Sequence, residues 1–182
     1  MTIWEISEKA DYIAQRHQQL QDQWHLYCNS LVQGITLSKA RLHHAMSCAA
    51  QGDMRFVLFG HFTIYVTLAD TFNSHTIEYY VETKDGEDKQ RIAQAQLSID
   101  GMIDGKVNIR DREQVLEHYL DKISPVYDTL YAALLARDPA YDGFAFVGVK
   151  STGVFCRLTC PARKPKRENT LFFDSIKGCV EA

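Results

Sequence analysis

The run from Lys150 to Asn169 holds the residues best suited to chemistry. Cys156 and Cys160 stand four positions apart. Arg157, Arg163, Lys164, Lys166 and Arg167 crowd beside them, with no acid between Cys156 and Arg167. A thiol pair supplies half of a tetrahedral zinc site. Zinc and neighbouring cations both favour thiolate, the nucleophilic form of cysteine. A basic strip attracts phosphate. Together these features suggest a cysteine that reacts against a nucleic-acid backbone, with Cys156 and Cys160 as an incomplete pair of metal ligands. The competing reading is a basic remnant, because a structural zinc site closes on four ligands and only two are in place. A second copy of the chain, a local histidine or Cys179 are the routes to completing it. No cofactor is expected otherwise, and zinc only if the site is completed.

Other candidates are weaker. His44 and Cys48 share a face if their segment is helical, at i and i+4, but no third ligand stands nearby. A packed or surface pair is the plainer reading for His43, His44 and Cys48. His17 and His25 sit on a long helical pattern as surface or boundary residues. Asp85, Glu87 and Asp88 read as a solvated turn rather than a catalytic pair. No glycine-rich phosphate loop and no Ser-His-Asp order is present.

The elements that position these residues are legible as patterns. Ile6, Ile13, Leu20, Trp24, Tyr27 and Leu31 recur at helical spacing over residues 5–31. This stripe is read as core, with a partner-binding helix as the alternative. Gly34 breaks the pattern, and a second helix is expected over residues 38–50. Strands follow at 55–59 and 62–68, joined by a hairpin turn at Gly60-His61. In the second of them Phe62, Ile64, Val66 and Leu68 alternate with Thr63, Tyr65 and Thr67. A third strand covers 76–83, and residues 91–99 and 106–109 form a further hairpin near Asp104-Gly105. Asp111 caps a helix from Arg112, with Gln114 at the capping-box position. Pro125 ends or kinks that helix, and a turn or two more spans 126–136. In the tail, residues 144–149, 153–155 and 171–173 are apolar runs able to pair as a small sheet supported by the body.

Length and charge narrow the classes. The chain has 182 residues, is 46% hydrophobic and carries a formal charge of −3. This suits one domain with a small appendage. The charge is uneven: residues 141–182 hold 7 basic and 4 acidic side chains, and residues 1–140 hold 13 and 19. The large N-terminal part is thus a poor general DNA binder, and phosphate affinity belongs to the tail. The N-terminus lacks the long apolar run of a secretory signal, and no stretch is long enough to span a bilayer. Cytoplasmic localisation, reduced thiols and no membrane partner are expected. All four prolines lie at 125, 139, 161 and 165, so a boundary near 125–137 fits both proline use and charge.

Two resemblances follow the same division. Residues 134–143 (Leu134-Leu-Ala-Arg-Asp-Pro-Ala-Tyr-Asp-Gly143), 146–157, Cys160-Pro-Ala-Arg163 and Lys166-Arg-Glu-Asn169 resemble the N-terminal zinc module of the Ada family of DNA alkylation-repair regulators. That resemblance implies four cysteine ligands, one of which accepts a methyl group from a DNA methylphosphotriester. By position Cys156 is similar to the acceptor and Cys160 to its neighbouring ligand. Thr152, Arg157, Arg163 and Arg167 fall where the family has residues near the DNA backbone, and Lys166 of the basic strip is expected to bind DNA with them. Leu158 stands where proline is usual. The family's second thiol pair is not matched, and Cys179 is out of register with it.

Residues 1–134 resemble the HycA family of formate hydrogenlyase regulators. The likeness runs through Met1 to Arg16, Leu31 to His44, Tyr79 to Gln90 and Ile99 to Arg110. It implies a transcription-regulatory protein that opposes a formate-responsive transcriptional activator, its expected partner; DNA backbone contact through the basic tail is the other. The expected fold is α+β, with helices packed on an antiparallel sheet over residues 1–130. A small, incomplete zinc-module-like tail over 131–182 follows. The rival function is irreversible methyl transfer to Cys156.

Overall fold

The computed structural model describes residues 2–38, 44–48, 52–71, 74–86 and 88–181. Among these, four helices and two antiparallel sheets form an α+β fold. Helix α1 (Ile3–Leu37) is 35 residues long and opens with a capping box. The Thr2 hydroxyl accepts from the Glu5 N–H, and the Glu5 carboxylate accepts from the Thr2 N–H. This satisfies two donors that a helix start leaves orphaned.

The apolar stripe of α1 divides in two. Leu20, Trp24, Tyr27 and Leu31 are core, whereas Ile6 and Ile13 are exposed. The reading of the whole stripe as core is therefore corrected for its first half, because the body extends only as far as the second. Gly34 does not break the helix either. It lies inside α1, where an added Cβ would stand 3.1 Å from the Arg112 carbonyl and 3.3 Å from the Leu116 Cβ. The missing side chain lets helix α2 (Arg112–Lys122) approach closely.

The expected helix over 38–50 is also corrected. Ser38 is the C-cap of α1, and strand β1 (His44–Cys48) pairs antiparallel with β2 (Met54–Leu58). The rest of that segment, His43 included, lies outside the described residues. Sheet pairing overrides the weak helical pattern of the segment.

The large sheet runs in sequence order from β1 to β7. It continues through β3 (Phe62–Thr71), β4 (Ser74–Thr83), β5 (Gln90–Leu97), β6 (Met102–Ile103) and β7 (Val107–Asn108). Strand alternation holds across β3 and β4. Ile64 faces Val81 and Val66 faces Tyr79 on the buried side. On the other face Tyr65 opposes Tyr80, and the Lys89 ammonium lies 4.0 Å from the Tyr65 ring centroid. Strand β5 pairs with β6 rather than with residues 106–109. The Asp104-Gly105 hairpin joins β6 to β7, with φ 51° and 67° as a type I′ turn requires.

Asp111 caps α2 by accepting from the Glu113 and Gln114 N–H groups. The Gln114 side chain binds the Asp111 carboxylate and the Asn108 N–H, so the capping box is not closed on Asp111's own backbone. Helix α3 (Ser124–Ala136) starts immediately after, with Pro125 in its first turn where no N–H is needed. It runs 13 residues, longer than the turn or two expected. It ends at Arg137 in the left-handed conformation.

The tail forms the second sheet, in the order β10-β8-β9, from β8 (Phe146–Val149), β9 (Val154–Arg157) and β10 (Thr170–Phe173). A short helix α4 (Ile176–Val180) follows. Ala145, Val147, Leu158 and Phe172 join one hydrophobic cluster with Leu130, Leu134, Tyr119 and the inner face of the large sheet. Burial of apolar surface on α3 thus gives this small sheet a core that it is too small to build alone.

Candidate functional site

Strand β9 and the turn after it place the two thiols. Cys156 lies opposite Val147 on β8, half-buried, while its neighbour Arg157 points outward, as strand alternation demands. The turn is closed by the Cys160 N–H donating to the Arg157 carbonyl at 3.2 Å. The Thr159 hydroxyl donates to the Asp142 carboxylate at 3.2 Å. Two cations hold the loop. The Lys164 ammonium donates to the Leu158 and Cys160 carbonyls at 2.9 and 2.7 Å, and the Arg137 guanidinium donates to the Pro161 carbonyl at 3.0 Å.

The two thiols differ in their surroundings. Burial, and then a hydrogen bond to Cys160, push the Cys156 thiol up to about 11. Cys160 is held below the ordinary thiol range, first by the Ala162 N–H and then by the Cys156 thiol, with Lys164 and Arg137 adding their charge. The surroundings therefore favour thiolate more at Cys160 than at Cys156.

A cleft of ≈520 Å³ opens beside Cys156. Thr152, Arg163, Lys164 and Lys166 line it together with Leu134 and Val147. The fold therefore gathers Thr152, Cys156, Arg163 and Lys166 from four separate points of the tail. Two other basic residues lie elsewhere. Arg157 is on the outward face of β9, and Arg167 turns to α3, 3.6 Å from the Asp128 carboxylate and 5.9 Å from the Tyr131 ring centroid. Lys164 and Arg137 are the residues whose part the sequence did not indicate. Lys164 follows Cys160 by four positions, but only the loop's fold shows that it grips the loop carbonyls.

Zinc fits this arrangement in part. Cys156 and Cys160 are both free thiols. Among the described residues no three His, Cys, Asp or Glu side chains come together as a metal-binding group. Cys179, on α4, lines a separate cavity with Val149, Phe155 and Phe173. The residues present therefore supply half of a closed tetrahedral set and do not by themselves fit a structural zinc ion. His44 is engaged differently: its Nε2 lies 2.9 Å from the Tyr119 hydroxyl. No helix among the described residues is long and apolar enough to cross a membrane.

Comparison with known proteins separates the same two parts. Residues 129–182 match the family model described as the metal binding domain of Ada. Over 57 residues the chain is 37% identical to the bifunctional transcriptional activator/DNA repair enzyme AdaA of Bacillus subtilis, covering 31% of this chain and 27% of that protein. Over 55 residues it is 46% identical to the Ada enzyme of Escherichia coli, covering 30% and 16%. The chain thus spans less than a third of either relative. No solved structure matches. The N-terminal part is 87% identical over 134 residues to the formate hydrogenlyase regulatory protein HycA of Escherichia coli K12, covering 74% of this chain and 88% of that one. The family model for the transcriptional repressor of hyc and hyp operons matches residues 1–142, and on this match the chain belongs to that repressor family.

Proposed function

We propose that this protein regulates transcription of the formate hydrogenlyase system in the cytoplasm, by contact with the formate-responsive activator protein of that system. The observation that carries the reading is the 87% identity to HycA over 134 residues. Charge supports protein contact over direct DNA binding by the body. Residues 1–140 hold 19 acidic against 13 basic side chains, which disfavours approach to a polyanion. On this reading residues 1–130 are the regulatory domain and 131–182 an appended module. The test is a reporter driven by a formate-responsive promoter, combined with capture of the activator by purified protein. Repression without activator binding would reject the contact mechanism.

The cleft beside Cys156 supports a second, additional role for the module, contact with a DNA backbone. Thr152, Arg163 and Lys166 offer a hydroxyl and two cations to phosphate oxygens. Such contacts fix position without reading sequence, so binding would weaken steeply with salt. Methyl transfer to Cys156 is the alternative. It needs a thiolate at Cys156, whereas burial and the bond to Cys160 favour the thiol there. Completion of the ligand set would reverse that preference.

A further inference from the structure

We propose that the cavity between His61 and helix α3 binds a small organic amine. The cavity holds ≈340 Å³, a size in the range of natural small-molecule sites. Its apolar wall is Phe62, Val81 and Ile92 of the large sheet, with Val126 from the first turn of α3. His61, Thr83, Asp85 and Gln90 bring polar groups to it. Tyr141, in the 3₁₀ turn Pro139–Tyr141 that follows α3, also lines it. The cavity thus lies where the sheet, α3 and the chain beyond α3 meet. It shares no lining residue with the cleft beside Cys156.

His61 marks the cavity as a site. Its ring is buried against Phe62, Tyr141 and Phe144, with centroids 4.9, 5.2 and 5.4 Å away. Neither ring nitrogen has a hydrogen-bond partner among the described residues. Nδ1 is sealed from water and bonded to nothing. Nε2 lies 3.8 Å from the Asp85 carboxylate, beyond hydrogen-bond length. Buried polar groups ordinarily have their bonds made, and burial without them costs free energy. A phenylalanine would supply the same aromatic packing without that cost. The fold therefore makes no use of the ring's polar atoms, and Nε2, on the side of Asp85, is left for a bound molecule.

Charge selects the class of that molecule. Among the described residues lining the cavity, Asp85 carries the only full charge, and no lysine or arginine joins it. Its side chain is 75% exposed, which puts the carboxylate at the mouth. The two lysines of the same turn are directed elsewhere. Lys84 lies 5.4 Å from the Phe144 ring centroid, and Lys89 lies 4.0 Å from that of Tyr65, on the opposite face of the sheet. A carboxylate or phosphate would meet Asp85 with no cation in the lining to offset it, whereas an ammonium is attracted. With its proton on Nδ1, His61 accepts through Nε2. Nε2 and the Asp85 oxygen, 3.8 Å apart, can share one ammonium group at about 2.9 Å from each. The apolar remainder of the ligand then lies on Val81, Ile92 and Val126.

Benzylamine is the probe, with benzyl alcohol as its uncharged counterpart, each titrated into the 182-residue chain. At millimolar concentration benzylamine should saturably shift the methyl NMR signals of Val81, Ile92 and Val126 through its ring current. It should also raise the thermal midpoint by mass action. Benzyl alcohol should bind more weakly. Asp85→Asn, at an exposed position, should leave the fold intact and weaken benzylamine about fivefold, as loss of one solvent-edged ion pair implies. His61→Phe keeps the aromatic packing and should lose the preference for amine over alcohol. No saturable binding, equal affinity for the alcohol, full affinity in Asp85→Asn, or shifts confined to other methyl groups would each overturn the proposal. Zinc that shifts the same signals while benzylamine does not would assign His61 and Asp85 to a metal instead, and would equally overturn it.

Discussion

The hydroxyls of Tyr27 and Tyr79 meet at 2.8 Å in the core. The bond pins α1 to β4, the middle strand of the large sheet. Both residues are fully buried, and burial raises both phenols above their ordinary range. Each hydroxyl bonds the other, so removing one strands the second away from water. Tyr27→Phe and Tyr79→Phe should each destabilise the fold by about 1–2 kcal/mol. The double change should cost less than the two together, by roughly 1 kcal/mol. Urea unfolding of the three variants measures this; additive costs would mean the hydroxyls find water.

Gly34 tests the crossing of α1 and α2. An alanine there gains helix propensity but presses on the Arg112 carbonyl at 3.1 Å, so its sign depends on how far α2 yields. Gly34→Leu removes the ambiguity. It should destabilise by about 1–3 kcal/mol through overpacking, read as a lowered thermal midpoint.

Asp104 links the last hairpin to α2. Its carboxylate accepts from the Gln96 N–H at 2.8 Å and from His118 Nε2 at 3.1 Å, and lies 3.6 Å from the Lys122 ammonium. Burial opposes ionisation, but these three groups outweigh it and hold the acid below its usual range. A depressed carboxylate adds stability above its unfolded pKa, and that contribution is lost as pH falls through the lower, folded value. Asp104→Asn keeps a residue that tolerates the left-handed backbone. At neutral pH it should cost about 1 kcal/mol at most, since the side chain is 35% exposed and solvent screens it. The difference from wild type should shrink below about pH 4. A penalty that persists in acid would mean that charge is not its source.

Truncation after Ala136 tests the division into regulatory body and module. Helices α1 and α2 and the large sheet share a core that the tail does not interrupt. The shortened chain should still unfold cooperatively. Its midpoint should drop, because Val147, Leu158 and Phe172 no longer cover Leu130 and Leu134. Loss of any cooperative transition would show that the tail belongs to the folding unit.

Methylphosphotriester DNA tests Cys156. With two ligands in place and the thiol favoured at Cys156, the 182-residue chain should gain no stoichiometric methyl group by intact mass, with or without added zinc. A gain of one methyl on Cys156 would establish the transfer reading. Binding that fades with salt, without mass gain, would leave backbone contact alone.

The sequence by itself determined the elements whose signals are local. Alternation in Phe62, Ile64 and Val66, the Asp104-Gly105 turn, the Asp111 cap and Pro125 each act within a few residues, and the structure keeps them. It also held the pairing of Cys156 with Cys160 and the two family likenesses, because motif residues and their spacing are carried by the chain itself. Tertiary structure decided what depends on neighbours far along the chain. Residues 44–48 became a strand because β2 was there to pair with them. Gly34 became a contact rather than a break because α2 crosses it. Ile6 and Leu20 belong to one periodic stripe, yet only Leu20 is covered, since periodicity fixes a face and not how far the body extends beneath it. The thiols were divided in the same way. Their spacing is identical from either end, and only burial at Cys156, with the Ala162 N–H and two cations at Cys160, shifts one thiol up and the other down.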